Sequence, residues 1–224
     1  MDTNRFNPIL IVFVLLFLVG CASFRSDLEG EYVGENGKNY NAQKVDVLFI
    51  ISHYKQAKGY DAIPKLENRR QIINDFDDLL IDACSEFSNI DRYTTFTNYA
   101  EDVSKIERRA LKDSLISSHD YIIRMKFRRD ASFPKYFFGS LASSLTLTFF
   151  PIAFKRQYSL EVNVYNHDGV LISSYSRSES LTKWVQSLLL FIYPFHTEKR
   201  KEEEIYNKLM HDIFWKIEIE KVLR

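Results

Sequence analysis

The sequence predicts an α/β (α+β) domain: a βαβαβ–ββ–α chain forming a mixed sheet of about five strands, with helices packed on it and two apolar insertions at one pole. Three observations carry this. Apolar runs with strand character alternate with amphipathic segments of helical period through the first half of the chain. Two strongly alternating segments then flank the turn signal Asn166-His167-Asp168-Gly169. A final charged stretch carries apolar residues at four-residue spacing, as a helix lying on a sheet requires.

The chain opens on Asn7 to Cys21, NPILIVFVLLFLVGC. The apolar run Ile9 to Val19 is eleven residues long. As a helix it rises only about 16 Å, against roughly 30 Å of hydrocarbon, so it is too short to span a bilayer. It has the length of a secretory h-region. Leu18-Val19-Gly20-Cys21 resembles the lipobox of bacterial lipoprotein precursors, in which apolar, apolar and small residues precede a cysteine directly behind the h-region. The n-region MDTNRF departs from the usual pattern in carrying one Arg5 offset by Asp2. The resemblance implies a signal peptide over residues 1–20, cleavage before Cys21, and a lipidated (palmitate-type) N-terminus that holds the protein on a membrane. Ala22 after the cysteine, with no retention aspartate, implies the cell outer membrane and a periplasm-facing domain; the inner (plasma) membrane is the second setting.

Residues 21–44 form the lipidated N-terminus and a flexible linker in this reading, because Ala22 to Lys44 is polar, glycine-bearing and without a sustained period. Residues 45–224 form a single αβ domain. Val45 to Ser52 (VDVLFIIS) is apolar on both faces, as a central strand covered on two sides should be. Pro64 to Phe87 reads as a helix through Ile72, Ile73, Phe76, Leu79, Leu80, Ala83 and Phe87. Arg92 to Phe96 is a short strand. Asn98-Tyr99-Ala100-Glu101 has the form of an N-cap with its returning acid, opening a helix to Ser117 whose apolar positions are Val103, Ile106, Ala110, Leu111 and Leu115. Asp120 to Phe127, Gln157 to Asn166 and Val170 to Arg177 are the remaining strands, and a helix from Glu198 presents Ile205, Leu209, Ile213 and Ile217. This order, with Asp120-Tyr121 opening the third strand, loosely resembles the αβ domain of the TolB amino terminus and of the curli-secretion channel lipoprotein. The resemblance covers about half the chain and brings no catalytic signature.

The two insertions fall outside this core. Tyr136 to Phe154 runs 19 residues without a charge between Lys135 and Lys155, and Trp184 to Phe195 runs 12 between Lys183 and His196. Strand order brings them together: the strand after the first insertion runs away from that end, and its hairpin partner returns to it. If the strands flanking the first insertion are antiparallel neighbours, both insertions emerge side by side. Lysine flanks with Trp184, Tyr136 and Tyr193 near the ends have the pattern of a bilayer interface. Phe137, Phe138, Leu147, Phe149, Phe150, Trp184, Leu188, Leu189, Phe191 and Tyr193 are therefore the candidate residues for contact with a membrane or a membrane protein; packing of the two insertions on each other is the competing structural reading.

No enzyme signature is present. The five histidines share no metal-ligand spacing, and no HExxH, CxxC, nucleophile elbow, phosphate loop or dinucleotide glycine pattern occurs. The reading is thus no catalytic residue, no metal and no cofactor. With 30 basic and 30 acidic residues and no basic block, the composition gives no support for nucleic-acid binding. Cys84 has no partner once Cys21 carries lipid, and its helical position suits a small buried hydrophobe. Asp75, Asp77, Asp78 and Asp82 read as a solvated helix face. The expectation is a non-enzymatic, membrane-anchored lipoprotein of the cell envelope. Its partners are the membrane through acyl chains on Cys21 and an envelope membrane protein or further copies of itself. The second expectation is a subunit of an envelope export channel or assembly machine with membrane-inserting hairpins.

Overall fold

A computed structural model describes residues 20–25, 38, 41–58, 61–68, 73, 76–132, 152–186 and 198–224. Its strands are β1 (Gly20–Arg25), β2 (Val45–Lys58), β3 (Asp61–Leu66), β4 (Ile90–Asn98), β5 (Tyr121–Ser132), β6 (Ile152–Asn166) and β7 (Leu171–Gln186). The helices are α1 (Phe76–Cys84), α2 (Ile106–Ser117) and α3 (Glu198–Ile219), and a 3-10 turn covers Ala100–Ser104. The fold is the mixed α/β arrangement expected. One mixed sheet runs β1-β7-β6-β5-β2-β3, and β4 also pairs with β2. Seven strands occupy six positions, because β4 lies parallel along the first half of one edge of β2 and β3 lies antiparallel along the second half.

β2 sits inside this sheet, paired with β5 on its other edge, and buries Val47, Leu48, Phe49, Ile50 and Ile51. The two crossovers run in opposite directions, the first from β2 out to β4 on one side and the second from β4 back across β2 to β5 on the other. A right-handed hand for both then requires helices on opposite faces. The side chains agree: Phe76, Leu80 and Ala83 of α1 join the inner cluster with Phe49, Met125 and Val162, whereas Leu115 and Ile116 of α2 pack on Leu48, Ile50 and Ile122 of the outer face. α3 covers the inner face and buries Ile205, Leu209, Ile213 and Ile217, the four positions read from the sequence, together with Tyr206, Met210 and Phe214. It closes with Lys221 at φ 52, where the Val222 amide donates to the Ile217 carbonyl and the Lys221 amide to that of Glu218. This is a Schellman stop, and it turns Val222 and Leu223 back onto the core.

The hairpin between β6 and β7 closes as the turn signal predicts. Gly169 takes φ +77, the Gly169 amide donates to the Asn166 carbonyl, and the Asn166 side-chain oxygen accepts from the Val170 amide. A side chain at Gly169 would meet open space, so the backbone angle is what asks for glycine.

Five local readings are corrected. Pro64 lies in β3 and the helix begins at Phe76; proline lacks the amide a helix interior needs, and an edge strand tolerates it. The Asn98–Ser117 segment is not one helix, since Asn98 ends β4 and Lys105, extended at φ −102 and ψ 105, separates the 3-10 turn from α2. The acid that folds back there is Asp102, accepting the Tyr99 amide at 3.0 Å, instead of Glu101. Val103 and Ile106, read as apolar helix positions, are 74% and 77% exposed, and α2 packs through Leu115 and Ile116 instead. Finally, residues 22–25, read as the start of a linker, lie in β1, which pairs antiparallel with β7.

A candidate membrane-facing pole

The strand registers place Cys21 and the insertion ends together. β5 runs upward to Ser132 beside Lys58 of β2. β6 is antiparallel to it and enters from the same end at Ile152; β7 is antiparallel to β6 and finishes there, with Ile152 opposite Val185. β1 is antiparallel to β7 and starts there, with Gly20 opposite Gln186 and Cys21 opposite Val185. The chain therefore joins the sheet from residues 1–19, 133–151 and 187–197 at one pole. The antiparallel β5–β6 pair on which the sequence argument rested is present. Of the candidate contact residues, Trp184 lies on β7 opposite Ala22, so it stands on the strand beside the lipidation candidate Cys21, one residue out of register. Phe137, Phe138, Leu147, Phe149, Phe150, Leu188, Leu189, Phe191 and Tyr193 lie outside the described residues. The last residues of the first insertion, 152–154, belong to β6, and the first three of the second, 184–186, to β7.

Sequence reasoning missed β1. Its signal is faint, two alternating apolar residues (Ala22 and Phe24) in six, and strands are recognised by longer alternation. The consequence is large, because Cys21 is built into the sheet instead of hanging on a linker.

Beneath the pole, the inner face is an aromatic layer. Phe154, Tyr158 and Leu181 are buried on β6 and β7. Tyr206 of α3 stands edge-on to Tyr158 at 5.6 Å and to Phe127 at 5.2 Å. The His53 ring stacks on Phe127 at 5.0 Å and meets the Phe76 edge at 5.5 Å. Its buried Nδ1 has no hydrogen-bond partner among the described residues. Burial first, and the nearby Arg129 cation second, lower the His53 pKa to about 4, so the ring is neutral at pH 7.

Arg129 meets Glu202 of α3 at 3.2 Å. Burial raises the Glu202 pKa, with Arg129 pulling the other way. Burial opposes the Arg129 charge too, but Glu202 and the flanking tyrosines outweigh it. Within these last rows β5, β6 and β7 carry Arg128, Arg129, Lys155, Arg156 and Lys183 against Asp130 and Glu179. Five cations against two strand carboxylates just below an end that bears apolar segments is the order met at a phospholipid interface, where basic side chains reach the headgroup level.

Among the described residues no group of three or more His, Cys, Asp or Glu could hold a metal. Cys84 is a free, partly buried thiol packed on the inner core, and burial pushes its pKa to about 12, so it stays protonated and unreactive. Asp82 does more than face solvent: with Glu86 it brackets His211 of α3, at 3.1 and 2.7 Å, and so ties α1 to α3. The His211 and Asn207 hydrogen bonds hold the Asp82 carboxyl below the usual carboxylate range. Among the described residues no helix is long and apolar enough to cross a membrane.

No protein-family model matches the sequence, and no curated protein matches it. Among solved structures the chain is similar to a PelC dodecamer from Paraburkholderia phytofirmans, at a TM-score of 0.26 and 8% identity over 86% of this chain and 96% of that one. A point variant of the same PelC matches at a TM-score of 0.27 and 6% identity over 86% and 97%. A likeness this faint bears on neither fold nor function.

Proposed function

We propose that this chain is a non-enzymatic bacterial envelope lipoprotein, held by acyl chains on Cys21, with the β1–β7–β6 end of its sheet turned toward the bilayer. The observation that carries the reading is the pairing of Cys21 with Val185 at the end where both apolar insertions attach. An acylated cysteine on a long linker would leave the domain free to tumble. An acylated cysteine that itself opens a sheet strand, Gly20 being removed with the signal peptide, fixes the pole within a few residues of the lipid. Acyl chains hold the protein to the bilayer, so the insertions set its orientation or choose its partner, and the basic residues of β5 to β7 face anionic headgroups. The outer membrane, with the domain in the periplasm, is the setting we favour.

One experiment tests anchor and orientation together. In cells, Cys21→Ala is expected to abolish labelling by a fatty-acid probe and leave unprocessed precursor; labelling that persists rejects the anchor. In vesicles, the lipidated protein with Trp215→Phe retains Trp184 as its one tryptophan. Brominated phosphatidylglycerol is expected to quench its fluorescence at least twofold, and Leu189→Asp with Phe191→Asp to relieve that quenching. Unquenched Trp184 in a protein that still carries its lipid rejects the orientation alone.

A further inference from the structure

A cavity of about 320 Å³ opens on the outer face, independent of the pole. Its lining comes from Ser52 of β2, Leu66 of β3, Phe96 and Asn98 of β4, the 3-10 turn, and Arg108, Arg109 and Lys112 of α2. The volume is at the small end of the range for metabolite-sized sites. Its position follows from the topology. β4 runs parallel beside Val45 to Ser52 of β2, β3 runs antiparallel beside Tyr54 to Ala57 on the same edge, and the chain leaving β4 reaches α2 on the outer face. The crevice opens where β4 ends and β3 takes over the same edge of β2, beside Ser52, Leu66 and Asn98.

The chemistry of the lining is cationic. Arg108, Arg109 and Lys112 face one carboxylate, Asp102, and Arg108 already occupies it with two N–H bonds at 3.0 and 2.9 Å. Arg108 also donates to the Thr97 carbonyl at 2.7 Å and lies 4.5 Å over the Phe96 ring, so it is a fixed floor. Among the described residues the Arg109 guanidinium makes no ion pair. Among the described residues Lys112 reaches only the Asn98 side-chain oxygen, at 3.3 Å, while the Asn98 amide donates to Ser52 at 2.9 Å. Half-buried Lys112 has its pKa lowered by burial first and by the Arg124 cation second, with Asp113 and Asp102 opposing. An anion in the cavity would relieve both effects. Val103, 74% exposed at the rim, and Leu66 offer an apolar wall to the carbon part of such a ligand.

We propose that this cleft binds a small soluble anion of the carboxylate or phosphate class, received by Arg109 and Lys112 over the Arg108–Asp102 floor. A lipid headgroup is the less suitable source. Ser52 lies six residues down β2 from Lys58 at the pole, about 20 Å at 3.3 Å per residue.

The test is calorimetric titration of citrate, and separately of inorganic pyrophosphate, into the full-length protein in neutral detergent. Saturable one-to-one binding by at least one of them is expected. Losing the two charge-assisted contacts in Arg109→Glu with Lys112→Gln should weaken it at least tenfold, while Arg109→Lys should keep most of it. Arg109 is exposed, so Arg109→Glu alone serves if the double variant melts early. Absence of saturation with both anions, or undiminished binding in the charge variants, overturns the proposal. So does a result in which these variants leave citrate and pyrophosphate heats unchanged but lose association with phosphatidylglycerol vesicles, because the cations would then serve a lipid.

Discussion

The two faces of the sheet use the same strands for different ends. The inner face carries Phe49, Ile51, Met125, Phe127, Leu160, Val162 and Val164 under α1 and α3, and all are buried. Among the described residues the outer face has its apolar cluster where α2 lies, at Leu48, Ile50, Phe96 and Ile122. Toward the pole and across β6 and β7 it becomes Ser52, Lys126, Glu161, Asn163, Ser174 and Ser176, with Lys126 and Glu161 paired across strands at 2.9 Å. One face therefore supplies cohesion and the other supplies a polar surface with a cationic cleft. Stability should respond to substitutions on the first and barely to those on the second.

The largest effect is expected at the centre of the inner face. Phe214 is fully buried and its ring lies 5.7 Å from Phe49 and 4.9 Å from Phe87. Phe214→Ala removes that packing and leaves a cavity, a loss of about 3–5 kcal/mol by urea denaturation. That is a large share of a domain's total stability, so the variant should be partly unfolded at 37 °C. A loss under about 1 kcal/mol would mean that the inner face is not the cohesive one.

The second effect depends on pH and also belongs to the inner face. His53 titrates near its ordinary 6.5 when unfolded and at about 4 when folded. Between these values the unfolded chain takes the proton first, so stability falls as pH drops from 6.5 to 4 and the loss is complete below 4. The gap corresponds to a cost on the order of 3 kcal/mol. His53→Phe keeps the stack on Phe127 and removes the titration. It should match the native protein at pH 8 and exceed it by roughly that amount at pH 4, where the difference between the two isolates His53 from the carboxylates. Equal acid sensitivity of the two would place His53 in contact with water.

Periodicity explains what could be read in advance. β2 is apolar at every residue from Val47 to Ile51 because both faces are covered there. β6 alternates because its outer face is polar, with Ser159, Glu161 and Asn163 there, and α3 repeats at four because one side meets a sheet. Each is a burial pattern long enough to stand above noise. β1 offered two apolar residues, too few for a period, and its partner β7 lies far along the chain. α2 misled for the opposite reason: Val103 and Ile106 complete a helical stripe in sequence, but the extended Lys105 interrupts the helix between them and its face is set by Leu115 and Ile116. The pole was legible because strand order alone fixes which ends coincide. The cleft was not, since Ser52, Asn98 and Lys112 are brought together by parallel pairing of β2 with β4 and by helix packing, which no local spacing encodes.

The smallest effect separates the two ends of α2. Leu115 packs on the outer cluster while remaining partly exposed, so Leu115→Ala should cost about 1–2 kcal/mol, below the core values because the site is already half solvated. Ile106 is 77% exposed at the first residue of the same helix, and Ile106→Ala should change stability by less than about 0.5 kcal/mol, with the better helix propensity of alanine acting in its favour. Chemical denaturation of the two variants side by side reads the comparison directly. If Ile106→Ala proved as costly as Leu115→Ala, the apolar stripe of α2 would be covered along its whole length, and a partner or a further segment of the chain would have to lie across the mouth of the cationic cleft.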